Sequence, residues 1–278
     1  MSSQRTVRDQ VVLKGVGLQT GRPVSMTLIP APAGSGINFI RTDLPNKPLL
    51  NINSFSLDAA GSAERRTSLA AGPMQIQTIE HLMAALSGLA IDNISIELDS
   101  DELPGMDGSA KDFVAAIRKA GTAEQAESRR ELEIKEPVWC RDGDSFIAAF
   151  PGDGFKVSYT LSYPAPAMGT AYLSLALTEK IFETEIAPAR TFCLEEEAVE
   201  LIKRGLGKGA NYDNTLVLGG AGPVKTSLRF PDEPVRHKVL DLVGDLYLLG
   251  MPIKGHIVAI KSGHKLNMEL VRKLKKGA

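Results

Sequence analysis

The chain has 278 residues, a formal net charge of −1 and a hydrophobic fraction of 43%. This length suits two domains or one large one, and the apolar fraction is sufficient to build real cores. Because nucleic-acid-binding proteins usually carry a clear basic excess, the charge argues against a nucleic-acid partner.

The cysteine count and the first residues indicate the compartment. Cys140 and Cys193 are far apart and form neither a disulfide framework nor a thiolate zinc pattern, and free thiols suit a reducing cytoplasm. Residues 1–8 are polar, unlike a signal peptide, and no segment approaches the apolar length of a membrane span. We therefore expect a cytoplasmic protein without a transmembrane segment.

The first half of the chain alternates short strands with two amphipathic helices. Strands are predicted from alternating apolar residues bounded by glycines, and helices from apolar residues three and four positions apart. The predicted strands are Val11–Leu18, Ser25–Ile29, Ile37–Arg41 and Ile91–Leu98, and the predicted helices are Thr78–Leu89, with Thr78 as N-cap, and Ser109–Ala120.

The segment Gly121–Arg130 is polar and charged and is interpreted as a linker between domains at 1–124 and 125–278. After it the strand pattern resumes and alternates with three helices. The predicted strands are Leu132–Trp139, Phe146–Phe150, Lys156–Tyr163 and Ile257–Ile260, and the predicted helices are Glu195–Arg204, Val235–Leu249 and Asn267–Lys276.

The two halves share an outline. Each has strands, then a helix with a histidine near its start, a glycine, an apolar strand and a final helix. This order predicts a duplicated α+β unit. A chance succession of helix and strand is the simpler alternative, since such an order is common.

Two distant segments carry residues of one potential metal site. Glu80 and His81 stand together near the start of a predicted helix, and His237 and Asp241 are four residues apart, on one face of another. Two histidines and an aspartate can hold a catalytic zinc with one position open, and Glu80 is the kind of residue that takes a proton from water at such a metal. Each segment alone is more simply a polar stripe or a structural histidine. Together they predict a metal-dependent hydrolase.

Further polar residues extend this site. Asp245 lies one turn beyond Asp241 on a helix rich in Leu and Val, where buried charge needs a partner. His264 follows a strand and is predicted to lie on a loop above the sheet. A Thr191 hydroxyl could stabilise an oxyanion, and Lys238 and Lys261 flank the histidine segments as potential phosphate contacts. By itself, each has an ordinary surface interpretation.

Five segments in order carry a specific resemblance to a known family. They are Thr78–Asn93, Met106–Ser109, Arg190–Phe192, Val235–Tyr247 and Lys261–His264. With Gly15–Leu18 and Asn267 at the ends of the similarity, the chain resembles the UDP-3-O-acyl-N-acetylglucosamine deacetylases, which carry out the committed step of lipid A synthesis.

The resemblance implies an α+β fold of two similar domains, each a mostly antiparallel sheet packed with helices, and an active site at the domain interface. It implies removal of the N-acetyl group from UDP-3-O-(3-hydroxyacyl)-N-acetylglucosamine with one Zn²⁺ per chain. We expect a monomer, with this small-molecule substrate as its partner.

The family's functional residues correspond to positions of this chain. The catalytic positions are Glu80 as general base, His264 kept charged by Asp245, and Thr191 at the oxyanion, and the zinc ligands are His81, His237 and Asp241. The substrate contacts are Lys238, Phe192, Lys261 and Tyr163, the last at the uracil. Residues 192–217 resemble the insert that forms the passage for the acyl chain.

The chain departs from the family pattern at three places. Gln19 stands where many members have His, Cys193 replaces the Gly that usually follows Arg-Thr-Phe, and Ser162–Pro166 lacks the acidic residue and the His often found there. None of these is a proposed metal ligand. The departures therefore concern substrate contacts and acyl selectivity rather than the chemistry.

Two other functions remain open at this point. One is a metal amidase that acts on a different nucleotide sugar, which substrate profiling with and without the 3-O-acyl chain would distinguish. The other is a non-catalytic nucleotide-sugar-binding protein, which failure to bind zinc would favour. The same ligands would also accept Fe²⁺.

Overall fold

A computed structural model describes residues 2–53, 60–63, 65–72, 74–163 and 168–277. The departure at Ser162–Pro166 is therefore described only as far as Tyr163, and the rest of it lies outside the described residues. In the described part, helices combine with mostly antiparallel sheets, which confirms the α+β class. None of the helices described there is long and apolar enough to cross a membrane.

The first half of the chain is built around a five-stranded sheet. Its elements in chain order are β1 (Ser3–Val7), β2 (Val11–Val16), β3 (Pro23–Pro30), β4 (Ile37–Arg41), β5 (Leu49–Asn51), β6 (Ala60–Ala63), β7 (Arg66–Ala71), β8 (Met74–Gln77), α1 (Glu80–Gly88), β9 (Ile94–Leu98), α2 (Lys111–Ala120) and β10 (Thr122–Ser128). The sheet has the order β2-β3-β9-β4-β5, and β6, β7 and β8 form a separate antiparallel sheet.

The second half is built around a matching sheet. Its elements in chain order are β11 (Leu132–Glu133), β12 (Val138–Asp142), β13 (Ser145–Phe150), β14 (Phe155–Ser162), β15 (Thr170–Ala176), α3 (Glu179–Ile181), a π-helical turn (Phe182–Ile186), β16 (Phe192–Leu194), α4 (Glu195–Lys203), β17 (Leu216–Gly219), β18 (Gly222–Pro223), α5 (Glu233–Leu246), a 3₁₀ turn (Tyr247–Leu249), β19 (Ile253–Ile260) and α6 (His264–Gly277). The main sheet has the order β12-β13-β19-β14-β15, with β11 also paired to β19.

The two main sheets have identical connections. In each, two antiparallel hairpins flank a central strand that comes last in the chain, antiparallel to one hairpin and parallel to the other. One helix precedes each central strand and another follows it. This identity supports the duplicated unit expected from the sequence, while the boundary at residue 124 stays a prediction.

Alternation along the central strands fixes which face of each sheet packs inward. Ile94, Ile96 and Leu98 of β9 are buried, and so are Ile257 and Ala259 of β19, because successive side chains point to opposite faces. The covering helix α1 has buried residues along most of its length, as expected for a helix packed on several sides.

Helices α1 and α5 cross at close range. At Gly244 of α5, a Cβ atom would overlap the backbone carbonyl oxygen of Glu80 at the start of α1. Glycine permits this approach because it has no side chain. His81 and Asp241 lie beside the crossing point, so the packing of the two helices also brings together side chains from the two halves of the chain.

Gly121–Arg130 was interpreted as a linker, but most of it has regular secondary structure, so that interpretation was wrong. Most of the segment is the strand β10, which pairs with β1. Its side chains are polar and largely exposed, so the hydrophobic pattern carried no strand signal. The strand forms because β1, at the start of the chain, supplies its backbone hydrogen-bond partners.

Two predictions about the ends of helices were also wrong. Thr78 does not cap α1, because Ile79 is the N-cap and the Thr78 hydroxyl donates to Glu102 instead. Thr78 has a φ of 57°, a left-handed conformation that is strained for a β-branched residue. His264 does not lie on a loop but is the first residue of α6, because the helix begins three residues before the predicted Asn267.

Candidate active site

A cavity of about 750 Å³ opens where α1, α5 and the start of α6 meet β14 and β16. Among the predicted site residues, those that line it are Glu80, His81, Tyr163, Thr191, Phe192, His237, Lys238, Asp241, Lys261 and His264. Asp245 lies behind this surface and is fully buried. The fold therefore brings residues that are distant in sequence to one place.

His81, His237 and Asp241 form a group that could hold a metal ion. One potential ligand atom of each lies within 4.8 Å of the others. The Oδ1 atom of Asp241 is 3.3 Å from Nε2 of His237 and 3.8 Å from Nε2 of His81. Ligands bound tetrahedrally at about 2.1 Å from zinc are separated by about 3.4 Å, so small side-chain movements would suffice to coordinate one.

The surroundings of the two imidazoles suit ligand binding. Nδ1 of His237 lies 3.0 Å from the carbonyl oxygen of Ala189, which can only accept, so Nδ1 is the donor there and Nε2 is the nitrogen that faces Asp241. Burial, together with the neighbouring His237, lowers the pKa of His81 to about 3 and keeps that ring neutral. Neutral imidazole is the form that binds metals.

Asp241 supplies the anionic donor of the group. Burial alone would raise the pKa of its carboxyl, but His237 and Lys238 hold it well below the usual range. The Nζ of Lys238 donates to Oδ2 at 2.7 Å, so Oδ1 is the carboxylate oxygen that faces the two imidazoles. The group thus offers two imidazole nitrogens and one anionic oxygen as potential donors.

Glu80 lies next to the ligand group, at the first position of α1. Its carboxylate accepts a hydrogen bond of 3.1 Å from the backbone N–H of Thr67. Burial raises the pKa of Glu80 to about 7, although the charge of His264 opposes the rise; the charges of Asp241 and Asp245 add to it. A carboxyl group with this pKa can both take up and return a proton near neutral pH.

His264 and Asp245 form a buried pair beside the ligand group. Nδ1 of His264 lies 2.9 Å from Oδ2 of Asp245, which also accepts from the side-chain amide of Asn267 at 2.8 Å. Burial disfavours the charged imidazolium, but Asp245, together with Asp241 and Glu80, more than offsets this, and the pKa of His264 rises to about 9. Nε2 faces the ligand group, 3.9 Å from Asp241.

The predicted substrate contacts surround the same cavity. The Phe192 ring packs edge-on against Tyr163 and His237, and Nζ of Lys238 lies 5.8 Å from its centroid. Lys261 also lines the cavity, and its Nζ donates a hydrogen bond to Asp144. These residues form an aromatic and basic wall beside the ligand group.

An apolar passage leads away from the ligand group along β16, α4 and β17. The residues that line it are Cys193, Ala198, Leu201, Ile202 and Val217. Ile202 is 69% exposed, so the lining continues to the protein surface. The passage corresponds to the segment predicted as the acyl insert, and the departure Cys193 is part of its wall.

Sequence reasoning gave no role to three residues that shape the site. Thr67 contacts Glu80, Asp245 and His264 but belongs to no recognisable motif. Arg190 is buried and makes a bidentate ion pair with Glu233, which fixes the backbone just before Thr191. The signal that could have revealed this pair is the Arg of the Arg-Thr-Phe motif, because an arginine next to a predicted site residue needs an acidic partner if it is buried.

A buried His–His–Asp group, with a carboxylate beside it and an open cavity in front, is the arrangement of a metal-dependent hydrolase. Comparison with known proteins defines the class further. Residues 4–276 match the LpxC family of metalloenzymes, described as UDP-3-O-acyl N-acetylglycosamine deacetylase. The chain belongs to this family.

Individual relatives agree over almost the whole chain. A protein of Anaeromyxobacter sp. is 44% identical over 98% of this chain and 88% of its own length, and one of Chlamydia abortus is 43% identical over 98% and 96%. One of Bdellovibrio bacteriovorus is 40% identical over 99% of this chain and 90% of its own length. All three are named UDP-3-O-acyl-N-acetylglucosamine deacetylase.

Glu102 holds the loop that forms one edge of the cavity. It is fully buried and accepts four hydrogen bonds, from the backbone N–H groups of Gln19 and Thr20 and from the hydroxyls of Thr20 and Thr78. Gln19 in turn accepts from the backbone of Gly207 beyond α4. Glu102 therefore stabilises both the strained Thr78 and the cavity edge.

We predict that Glu102→Gln lowers the free energy of unfolding by about 2–3 kcal/mol, because an amide brings two new donors to a site with four donors. Urea denaturation would measure the change. Glu133→Gln is the matched control, since Glu133 pairs with Lys254 on the surface, and its stability should equal that of the unmodified protein. Equal stability of both variants would contradict the role of Glu102.

Proposed function

We propose that this chain removes the N-acetyl group from UDP-3-O-(3-hydroxyacyl)-N-acetylglucosamine, the committed step of lipid A synthesis. The convergence of His81, His237 and Asp241 beside Glu80 is the observation that carries the proposal. Membership of the deacetylase family supports the substrate class. The cavity volume lies within the range of about 300–1,000 Å³ that is usual for small-molecule sites.

His81, His237 and Asp241 are the proposed ligands of one Zn²⁺ per chain. Two neutral imidazoles and one carboxylate are a donor set that catalytic zinc accepts. When bound, the ion would supply Lewis acidity, which polarises a carbonyl group and acidifies water. The second oxygen of Asp241 is engaged by Lys238, which orients the carboxylate toward the site.

Residues of the chain carry the protons. Water attacks the acetamide carbonyl carbon, and Glu80 accepts the proton that the water loses. The negative charge that forms on the carbonyl oxygen is stabilised by the hydroxyl of Thr191 and by protonated His264. As the C–N bond breaks, His264 or Glu80 donates a proton to the departing nitrogen, giving acetate and the free amine.

The remaining predicted residues bind the substrate. Lys238 and Lys261 provide positive charge for the diphosphate, Tyr163 contacts the uracil, and Phe192 packs beside the sugar. The apolar passage along α4 accommodates the acyl chain. A cytoplasmic location belongs to the same proposal because both cysteines are free thiols, and so does a monomeric state, which light scattering would test.

The direct test is a deacetylation assay on the purified protein with its metal. We expect release of acetate from the 3-O-acylated UDP-sugar and much slower release from UDP-N-acetylglucosamine, because the latter cannot occupy the apolar passage. Equal rates would favour an amidase of different specificity. Metal-loaded protein that releases no acetate from either compound would overturn the proposal.

We predict that Glu80→Gln lowers kcat by at least about a hundredfold, because general-base catalysis usually contributes factors of 10²–10⁴. The amide has a similar shape but cannot accept the proton. Bound metal, measured by elemental analysis, should stay at one per chain. A near-normal kcat would rule out Glu80 as the base.

We predict that Asp241→Ala lowers the metal content, because it removes the anionic donor of the group. Elemental analysis after dialysis against a weak chelator would measure occupancy and would also identify the ion as zinc or iron. Asp153→Ala, at an exposed position, is the control and should keep its metal. Full occupancy in the Asp241 variant would count against ligation.

A further inference from the structure

Thr67 lies at the junction of the two groups that are proposed to move protons. It belongs to β7, in the first half of the chain, and its side chain is fully buried. It does not line the cavity, whereas Glu80 and His264 do. Whatever Thr67 contributes, it therefore acts through its neighbours and not by touching the substrate.

The side chain of Thr67 contacts the Asp245–His264 pair. Its Oγ1 lies 2.5 Å from Oδ1 of Asp245 and 3.1 Å from Nδ1 of His264. A carboxylate can only accept, so the single hydroxyl proton is donated to Asp245. Toward His264 the hydroxyl oxygen can then only accept, which requires that Nδ1 carry a proton. The contact thus favours the ring orientation in which Nε2 faces the cavity.

The backbone of Thr67 contacts the start of α1. Its N–H donates to Oε2 of Glu80 at 3.1 Å, and its carbonyl oxygen accepts from the N–H of Ile79 at 3.4 Å. One residue therefore holds the carboxylate of Glu80 with its backbone and the Asp245–His264 pair with its side chain. These two groups come from helices in opposite halves of the chain.

We infer that Thr67 is a positioning residue, whose hydroxyl fixes the orientation of Asp245 and His264 relative to Glu80. The inference rests on the proposed deacetylase function, for which it adds a residue. Loss of a hydrogen-bond partner behind a metal ligand typically costs 10–100-fold in metal affinity or activity, and we expect a similar loss of activity here. The next residue, Ser68, is also buried, but its hydroxyl has no hydrogen-bond partner among the described residues, so a buried hydroxyl on β7 does not by itself imply a role.

The test compares Thr67→Val, Thr67→Ser and Ser68→Ala as metal-loaded full-length proteins. Valine keeps the shape and the backbone N–H but removes the hydroxyl. We expect kcat of Thr67→Val to fall about 10- to 100-fold, with KM, metal content and melting temperature close to those of the unmodified protein. Thr67→Ser should recover most of kcat, and Ser68→Ala should change none of these quantities.

A second readout is independent of turnover. The chain contains four histidines, so ¹⁵N-histidine NMR gives few ring signals, and His264→Asn assigns the relevant ones. Thr67→Val should shift the His264 ring nitrogens, and Thr67→Ser should largely restore them. Thr67→Ala, which adds no bulk, is measured alongside in case valine disturbs the fold.

Unchanged kcat and unchanged His264 signals in Thr67→Val would overturn the inference. A loss of kcat that Thr67→Ser shares in full, or one that follows a loss of metal, would assign Thr67 a structural role and overturn it as well. An unmodified protein without deacetylase activity would instead overturn the proposed function. In that case the NMR shift alone decides whether the hydroxyl orients His264.

Discussion

The close crossing of α1 and α5 is the constraint on which the rest of the site depends. Gly244 allows α5 to approach the carbonyl oxygen of Glu80, where any side chain would collide with the backbone. The neighbouring side chains, His81 on one helix and Asp241 on the other, consequently meet at ion-binding distance. Moving either helix outward would separate the three donors, because α1 contributes His81 and α5 contributes His237 and Asp241.

The crossing also collects charges that would be costly to bury one at a time. Asp241 and Asp245 are each paired with a cation, Lys238 and His264 respectively, whereas burial raises the pKa of Glu80 to about 7. A divalent cation at the neighbouring donors would favour the charged carboxylate of Glu80 and draw its pKa down again. A bound cation and the proposed base would therefore be coupled electrostatically.

The sequence was most informative where spacing and residue type coincide. The four-residue interval between His237 and Asp241 predicted a shared helix face, and the repeated order of strands and helices predicted the duplication that the sheet topology supports. Residues whose role depends on long-range hydrogen bonds gave no such signal. Thr67 and Glu102 look ordinary in sequence, and Thr78 was assigned to a helix cap because its true partner lies 24 positions away. Local sequence patterns predict helices and strands, but these long-range hydrogen bonds can be recognised only in the folded structure.

The two halves differ where the duplicated unit has been extended, and both extensions occur at the same topological point. Between the fourth strand of the sheet and the helix that follows, the first half inserts β6 to β8 and the second half inserts α3 to β18. The first insertion carries Thr67, and the second carries Phe192 and the apolar passage. They meet across the cavity, where Arg65 donates to Glu197 at 2.7 Å. A symmetric pair of helices therefore holds the candidate metal ligands, while elements inserted at equivalent positions in each half carry the residues proposed to position the proton-transfer groups and to contact the substrate.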